Sequence, residues 1–243
     1  MYYRRPPHSY QAPIRFGPAM TPVVKALIIA CSGIFVLQLL LFGNSPTGLS
    51  AFWGIFGLAP ARVLGNLWIW QPITYMFLHG GVWHLLLNMF MLWMFGSELE
   101  KHWGSRRFLN FYMICGLGAA VTTAIFDYHS RSIGASGAIF GVLLAYGMLF
   151  PRRVILLWMI FPIQARYFVW ICAGIELWSV IQLQNATDGI AHWAHLGGML
   201  VGYLYIRRAW KLRDFLGQIR WKIRRSRFRV IDPPDDDPDD VVH

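Results

Sequence analysis

Apolar residues run along this chain in long stretches separated by short polar or charged breaks. The first stretch covers about Val23 to Phe42 and stops at Gly43-Asn44-Ser45-Pro46. The second covers about Ile73 to Leu99, with an early interruption at Gly80-Gly81, and the third about Phe108 to Phe126. The fourth runs from about Ile133 to Phe150 and ends sharply at Pro151-Arg152-Arg153. Val154 to Ile163 is apolar but holds Pro162, so it reads either as an interfacial piece or as the start of the fifth stretch, whose firmer part is Tyr167 to Leu183. The sixth covers about Ile190 to Ile206. A helix crosses bilayer hydrocarbon with about 20 apolar residues. The pattern therefore predicts an all-α membrane protein, a bundle of six transmembrane helices.

The connection between the first two stretches is long and holds Phe52, Trp53, Phe56, Trp68 and Trp70 with one basic residue, Arg62. Aromatic enrichment without charge predicts a segment lying at the bilayer interface rather than a loop in water. The ends differ from the middle. Residues 1–22 are rich in Pro and Tyr and form a cytoplasmic N-terminal segment in this reading, with no sign of a cleaved signal peptide. Residues 23–208 form the membrane domain. Residues 209–243 make a tail, basic at first and then acidic from Asp232 to Asp240, whose Pro/Asp run has no means of building a core.

Composition agrees with a bilayer as solvent. Of 243 residues 56% are hydrophobic and only 14% charged, against about a quarter charged in average globular chains. The net charge of +10 raises nucleic acid as a partner, but the basic residues sit in loop clusters and near the C-terminus, with no basic helix or stacking motif, so none is expected. Connections one, three and five carry Arg62, Arg131 and no basic residue, while the remaining loops and both ends carry nearly all the rest. That asymmetry puts both termini in the cytoplasm, a parity that six spans satisfy, and the expected location is a bacterial inner (plasma) membrane. Cys31, Cys115 and Cys172 all fall inside apolar stretches and read as buried thiols, not a disulfide framework.

Ser136, in Gly134-Ala135-Ser136-Gly137, begins the fourth span about one turn inside, and His195 begins the sixth at a similar depth. Both spans enter from the non-cytoplasmic side, so both residues lie roughly 7–9 Å below that surface, at five or six residues of 1.5 Å each. A serine hydroxyl needs a base to become a nucleophile, and a neutral imidazole within hydrogen-bond reach serves. Gly137 and Gly141 on span four, and Gly198 and Gly202 on span six, carry the small-residue spacing that lets helices approach closely. Taken singly these features have plainer readings. A membrane serine often bonds a backbone carbonyl of its own helix, and GxxxG is often packing alone. A histidine inside a membrane is costly, however, and by default marks function.

His79, His84 and Asn88 begin the second span from the same side, and His84 and Asn88 share a helical face. They are placed either to donate to an oxyanion at a substrate carbonyl or to bond each other and fix a helix. His192-Trp193-Ala194-His195 raises a zinc alternative, but no HExxH is present and the sequence sets no acidic ligand beside these histidines, so no metal is expected. Asp188 lies about 10.5 Å before His195 along a helix, too far to orient the imidazole unless the link folds back. Glu176, inside span five, is a functional suspect on cost or a protonated or paired glutamate of the bundle. A serine–histidine dyad is the simplest constellation.

Together these motifs resemble the rhomboid family of intramembrane serine proteases. The resemblance covers about Ala51 to Tyr205 and rests on His79-x4-His84-x3-Asn88, on Gly134-x-Ser136-Gly137, and on Ala194-His195-x2-Gly198-x3-Gly202, with Gly96-x3-Glu100-x3-Gly104 matching a loop pattern of the family. It implies a rhomboid-like six-helix bundle with an interfacial loop between helices 1 and 2. Ser136 would be the nucleophile, His195 the general base, and His84 and Asn88 would line the oxyanion hole with the Ser136 backbone N–H. His79 would support that region, and Phe140 would pack on the catalytic histidine. One departure is visible: many members carry Trp-Arg before span two, where this chain reads Trp70-Gln71-Pro72.

The expected function is therefore a serine endopeptidase that hydrolyses peptide bonds of membrane-spanning protein substrates within the lipid bilayer, without cofactor. The alternative is a non-catalytic rhomboid-like scaffold that binds membrane clients, which loss of Ser136 or His195 would have favoured. A transporter would show inverted repeats, and none is visible. Substrate identity and oligomeric state are not written in the sequence.

Overall fold

A computed structural model of the protein describes residues 17–157, 160–182 and 191–225. Asp188 and the acidic run from Asp232 lie outside the described residues. The chain divides into two units, 1–204 and 205–243, and Ser136 and His195 both belong to the first.

Helix α1 (Pro22–Phe42) opens on a proline, whose fixed φ and missing N–H suit the first helical position. The same device starts α2 (Pro46–Phe56), where the Ser45 hydroxyl also accepts from Gly48 N at 3.1 Å, and α3 (Pro60–Asn66). A short α4 (Gln71–Thr74) runs into a 3-10 turn at Tyr75–Phe77. Helix α5 (Val82–Met91) then continues through a π-helical turn, Leu92–Gly96, into α6 (Ser97–Trp103). The second stretch is thus not one helix from Ile73. Its two parts, Gln71–Phe77 and Val82–Trp103, meet at 96°, because the backbone is extended at Leu78 and at Gly81 and leaves Ile73–Phe77 to the connection.

Helices α7 (Ser105–Phe126) and α8 (Ser136–Leu149) form the centre. Phe108, Phe111, Tyr112, Cys115 and Ala119 of α7, with Val142, Leu143 and Ala145 of α8, are all but inaccessible. The undecided segment after α8 is a hairpin: β1 (Val154–Leu157) pairs antiparallel with β2 (Phe161–Gln164), Val154 opposite Gln164. Helices α9 (Ala165–Gln182) and α10 (His192–Arg225) follow. Large apolar side chains face outward on α1 (Ile29, Leu40, Leu41) and α9 (Trp170, Ile175, Trp178), the arrangement of a protein whose solvent is lipid. Among the described residues α1 and α7 are long and apolar enough to cross a membrane, and the bent second segment makes a third.

Two buried polar side chains fix the frame around the site. Thr21, which precedes α1, does not cap the helix itself. The Glu100 carboxylate from α6 does so instead: Val23 N and Val24 N donate to it at 3.0 Å each, Thr21 Oγ1 donates to it, and Ser105 Oγ at the start of α7 donates at 2.6 Å. An anion at a helix N-terminus is favoured by both the orphan amides and the helix dipole. That is the physical content of the Gly96-Glu100-Gly104 pattern, which ties three helices at one point. Gln71 does similar work in the long connection. Fully buried, it accepts from Ala59 N at 3.0 Å and donates to the carbonyls of Gly54 and Ile55 at 3.1 and 3.2 Å. Arg62 Nη1 donates to Gly54 O at 2.6 Å. The departure at position 71 therefore leaves the connection anchored.

Candidate active site

Helix α8 starts at Ser136 itself. The residue was expected a turn inside the helix, but backbone pairing at Ser132 and Gly134 holds the preceding segment outside it. Leu58 and Ser132 exchange backbone hydrogen bonds of 2.9 Å in an antiparallel bridge, and Gly134 N donates to Tyr75 O at 2.9 Å. Gly134 adopts φ +126°, and a Cβ at this position would stand 2.8 Å from His84 Nε2, so glycine is required twice over. Ile139 N bonds Ala135 O at 3.0 Å. The amides of Ser136, Gly137 and Ala138 precede it in the first turn and have no intrahelical acceptor.

Across from this turn, α10 begins at His192 and brings His195 Nε2 to 2.7 Å from Ser136 Oγ. Main chain sets that distance. A Cβ on Gly198 would run into the Gly137 carbonyl oxygen, and one on Gly202 would lie 3.3 Å from Gly141 Cα. The two small-residue pairs read from the sequence thus face each other. Phe140, one turn after Ser136, lies parallel to the His195 ring, with centroids 4.3 Å apart and planes at 9°. Trp193 stacks on Phe126 at the end of α7, also at 4.3 Å.

Ser136, His84 and His195 line one cavity of about 740 Å³, together with Ser50, Trp53, Ser132 and Ile133. Gly80 N donates to His84 Nδ1 at 3.4 Å, a long bond that favours the tautomer with hydrogen on Nε2, the nitrogen beside Gly134. Asn88 is buried one turn further along α5 and is not among the residues lining the cavity. His79 is fully buried behind His84, the two rings edge to face at 5.1 Å, and its backbone carbonyl accepts from Gln38 Nε2 at 2.6 Å.

The sequence set no acidic group beside the histidines, and the structure corrects this. Glu176, on α9, reaches between two of them: Oε2 is 2.6 Å from His192 Nδ1 and Oε1 is 3.0 Å from His195 Nδ1. The second contact has the distance of an ion pair but not the direction of a hydrogen bond, so the buried Nδ1 of His195 has no hydrogen-bond partner. Linear spacing could not reveal this, because Glu176 and the histidines sit on different helices. The one available signal was the cost of a carboxylate inside the membrane. The cysteines are free, Cys31 and Cys115 buried and Cys172 half-buried.

A hydroxyl hydrogen-bonded to an imidazole at the mouth of unspent helix amides, beside a cavity of about 740 Å³, has the parts needed for acyl transfer. Comparison with known proteins points the same way. Residues 66–211 match the model of the Rhomboid domain. "RHOMBOID-like protein 6, mitochondrial" of Arabidopsis thaliana is 36% identical over 138 residues, 55% of this chain and 41% of the relative. "Rhomboid protein 1, mitochondrial" of Saccharomyces cerevisiae is 34% identical over 135 residues, 53% of this chain and 38% of the relative. "Rhomboid protease GluP" of Bacillus subtilis is 32% identical over 136 residues, 55% of this chain and 25% of the relative. The matched region thus spans less than half the length of these relatives. Its apolar, outward-facing helices make the protein a membrane protein, and a domain match over more than half of its residues shows that the chain belongs to the rhomboid family.

Proposed function

We propose that this protein is an intramembrane serine endopeptidase, with Ser136 as nucleophile and His195 as general base. The observation that carries the proposal is the 2.7 Å contact between Ser136 Oγ and His195 Nε2. In the first step Ser136 Oγ bonds to the scissile carbonyl carbon while its proton passes to His195 Nε2. The oxyanion is held by the Ser136 amide and by His84 Nε2–H, with Asn88 behind them. The imidazolium then gives its proton to the departing amine as the C–N bond breaks. Water enters through the cavity, loses a proton to His195, and releases the acid and Ser136. Asn88 requires a change of side-chain position to join this set, since it is not part of the cavity wall.

The proposed topology has six crossings, formed by α1, the α5–α6 rod, α7, α8, α9 and the first part of α10, with both ends cytoplasmic. The 14 residues of α8 measure about 21 Å against roughly 30 Å of hydrocarbon. With its far end at the cytoplasmic face, Ser136 lies about 9 Å below the other face, reached by water from that side. Substrates are membrane-spanning segments that unwind locally to present a carbonyl, because an intact helix keeps its carbonyls bonded. The bacterial inner membrane expected from the sequence is set aside: the matched relatives include proteins named mitochondrial from a plant and a yeast beside the bacterial one. The proposal is limited to a bilayer.

A serine-reactive fluorophosphonate, applied to the purified protein and to Ser136→Ala, tests this reading. Labelling and cleavage of a single-span substrate are expected for the native protein and absent from the variant. Equal labelling of both, or cleavage by the variant, would overturn the assignment, and binding of clients with no cleavage by either would favour the scaffold.

A further inference from the structure

We propose that Glu176, His192 and His195 form a binding site for Zn²⁺, and that occupancy of this site disables the base of the protease proposed above. The second half rests on that reading; the first does not.

The ligand-capable atoms of the three residues lie within 4.8 Å of one another. Zinc bonds of about 2.0–2.2 Å in tetrahedral array set neighbouring donors some 3.3–3.5 Å apart. The observed spacings of 2.6 and 3.0 Å open to that with small side-chain rotations. Two imidazoles and a carboxylate with a fourth position left open are a donor set that suits zinc. The donors are also close together: each Nδ1 lies beside a different oxygen of the same carboxylate.

The independent observation is His195 Nδ1. The residue is 7% exposed, and this nitrogen is buried without a hydrogen-bond partner although a carboxylate oxygen stands 3.0 Å away. Buried polar atoms are nearly always satisfied. Here the nearest acceptor lies off the line of the ring nitrogen, and a cation held between them satisfies both. The Phe140 stack and the Gly198–Gly137 contact hold the ring in place. A route exists too, since Ala191 and His195 line the cavity through which water reaches Ser136.

The consequence follows from the two nitrogens of one ring. Metal on Nδ1 of a neutral imidazole leaves the hydrogen on Nε2. A neutral ring that carried its hydrogen on Nδ1 changes tautomer, that proton passing through water to Nε2 with none released overall; an imidazolium releases one proton to water, and no redox change is involved. Nε2–H then donates to Ser136 Oγ, 2.7 Å away, and can no longer take the hydroxyl proton. The nucleophile stays in place and unactivated.

Zinc binding is measured first on the full-length Ser136→Ala protein in detergent, stripped with a chelator, by competition with a chromophoric zinc indicator. One ion per chain is expected, with tetrahedral Co²⁺ absorption when cobalt replaces zinc. His192→Gln keeps a side-chain N–H for Glu176 but loses the metal nitrogen, and should weaken affinity by at least about tenfold. Glu176→Gln should weaken it similarly. Absence of a stoichiometric site, or unchanged affinity in both variants, would overturn the metal site. Substrate cleavage by the native protein should fall with free Zn²⁺ and recover with chelator. His192→Gln should need about tenfold more zinc for the same fractional loss relative to its own metal-free rate. Binding to Ser136→Ala without cleavage by the native protein keeps the site and removes the protease reading; cleavage without binding does the reverse.

Discussion

The rings of Phe140 and His195 lie parallel, 4.3 Å apart and 9° from coplanar orientation. An aromatic face against an imidazole fixes the ring plane without consuming either nitrogen, so Nε2 stays aimed at Ser136. Phe140→Ala should therefore lower kcat by about 10- to 100-fold, as misplaced reacting groups do. Phe140→Tyr, which keeps the face, should stay within a few-fold. Steady-state cleavage of one membrane substrate by both variants, with KM recorded, checks this. Equal losses in the two would show that the face is not what matters.

In the proposed mechanism His84 donates to the oxyanion through Nε2, which lies beside Gly134, with Nδ1 accepting from Gly80 N. Removing one oxyanion donor costs about 10²–10³ in rate. His84→Ala should show that loss in kcat with little change in KM. His84→Gln, which restores an N–H, should recover part of it.

Gly198 and Gly174 make opposite predictions from the same substitution. A methyl at Gly198 meets the Gly137 carbonyl, while one at Gly174 meets nothing within 4 Å. Gly198→Ala should separate α8 from α10 and abolish activity, with overpacking costs of about 1–3 kcal/mol or more. Gly174→Ala should leave activity intact and raise stability by about 0.5–1 kcal/mol, the ordinary gain of alanine over glycine in a helix. Thermal unfolding in detergent alongside cleavage separates the two effects.

Glu100 gathers Thr21, Val23, Val24 and Ser105 without touching the site. Glu100→Ala should reduce stability by roughly 2–4 kcal/mol, since it strips the cap from α1 and leaves buried donors unpaired. Glu100→Gln should lose less, because one amide oxygen still accepts. A thermal shift that ranks native, Gln, Ala in falling order is expected. Equal behaviour of all three would mean that the cap is replaced by water.

Much of this was legible in the order of residues. Span-sized stretches, turn residues and the GxxxG pairs are local signals, and they located α1, α7 and the α8–α10 contact. Depth arguments brought Ser136 and His195 to one level because both helices are counted from the same face. What escaped was what depends on rotation about a helix axis or on distant pairing. Glu176 could be assigned a level but not a facing, so its contact with His192 and His195 was invisible. Ser132 paired with Leu58 moved the start of α8, and no window around Ser136 contains Leu58. The bend before Val82 was visible as Gly80-Gly81, but its angle was not.

The bare backbone contact between Gly137 and Gly198 also separates what evolution can remodel around the site from what it cannot. No side chain stands there to be enlarged, trimmed or recharged, so the helix junction that brings Ser136 to His195 offers selection nothing to work on. Divergence in what the cavity admits has to be written elsewhere along its lining, in Ser50, Trp53 and Ile133. Those positions are where relatives with a shared dyad should differ most.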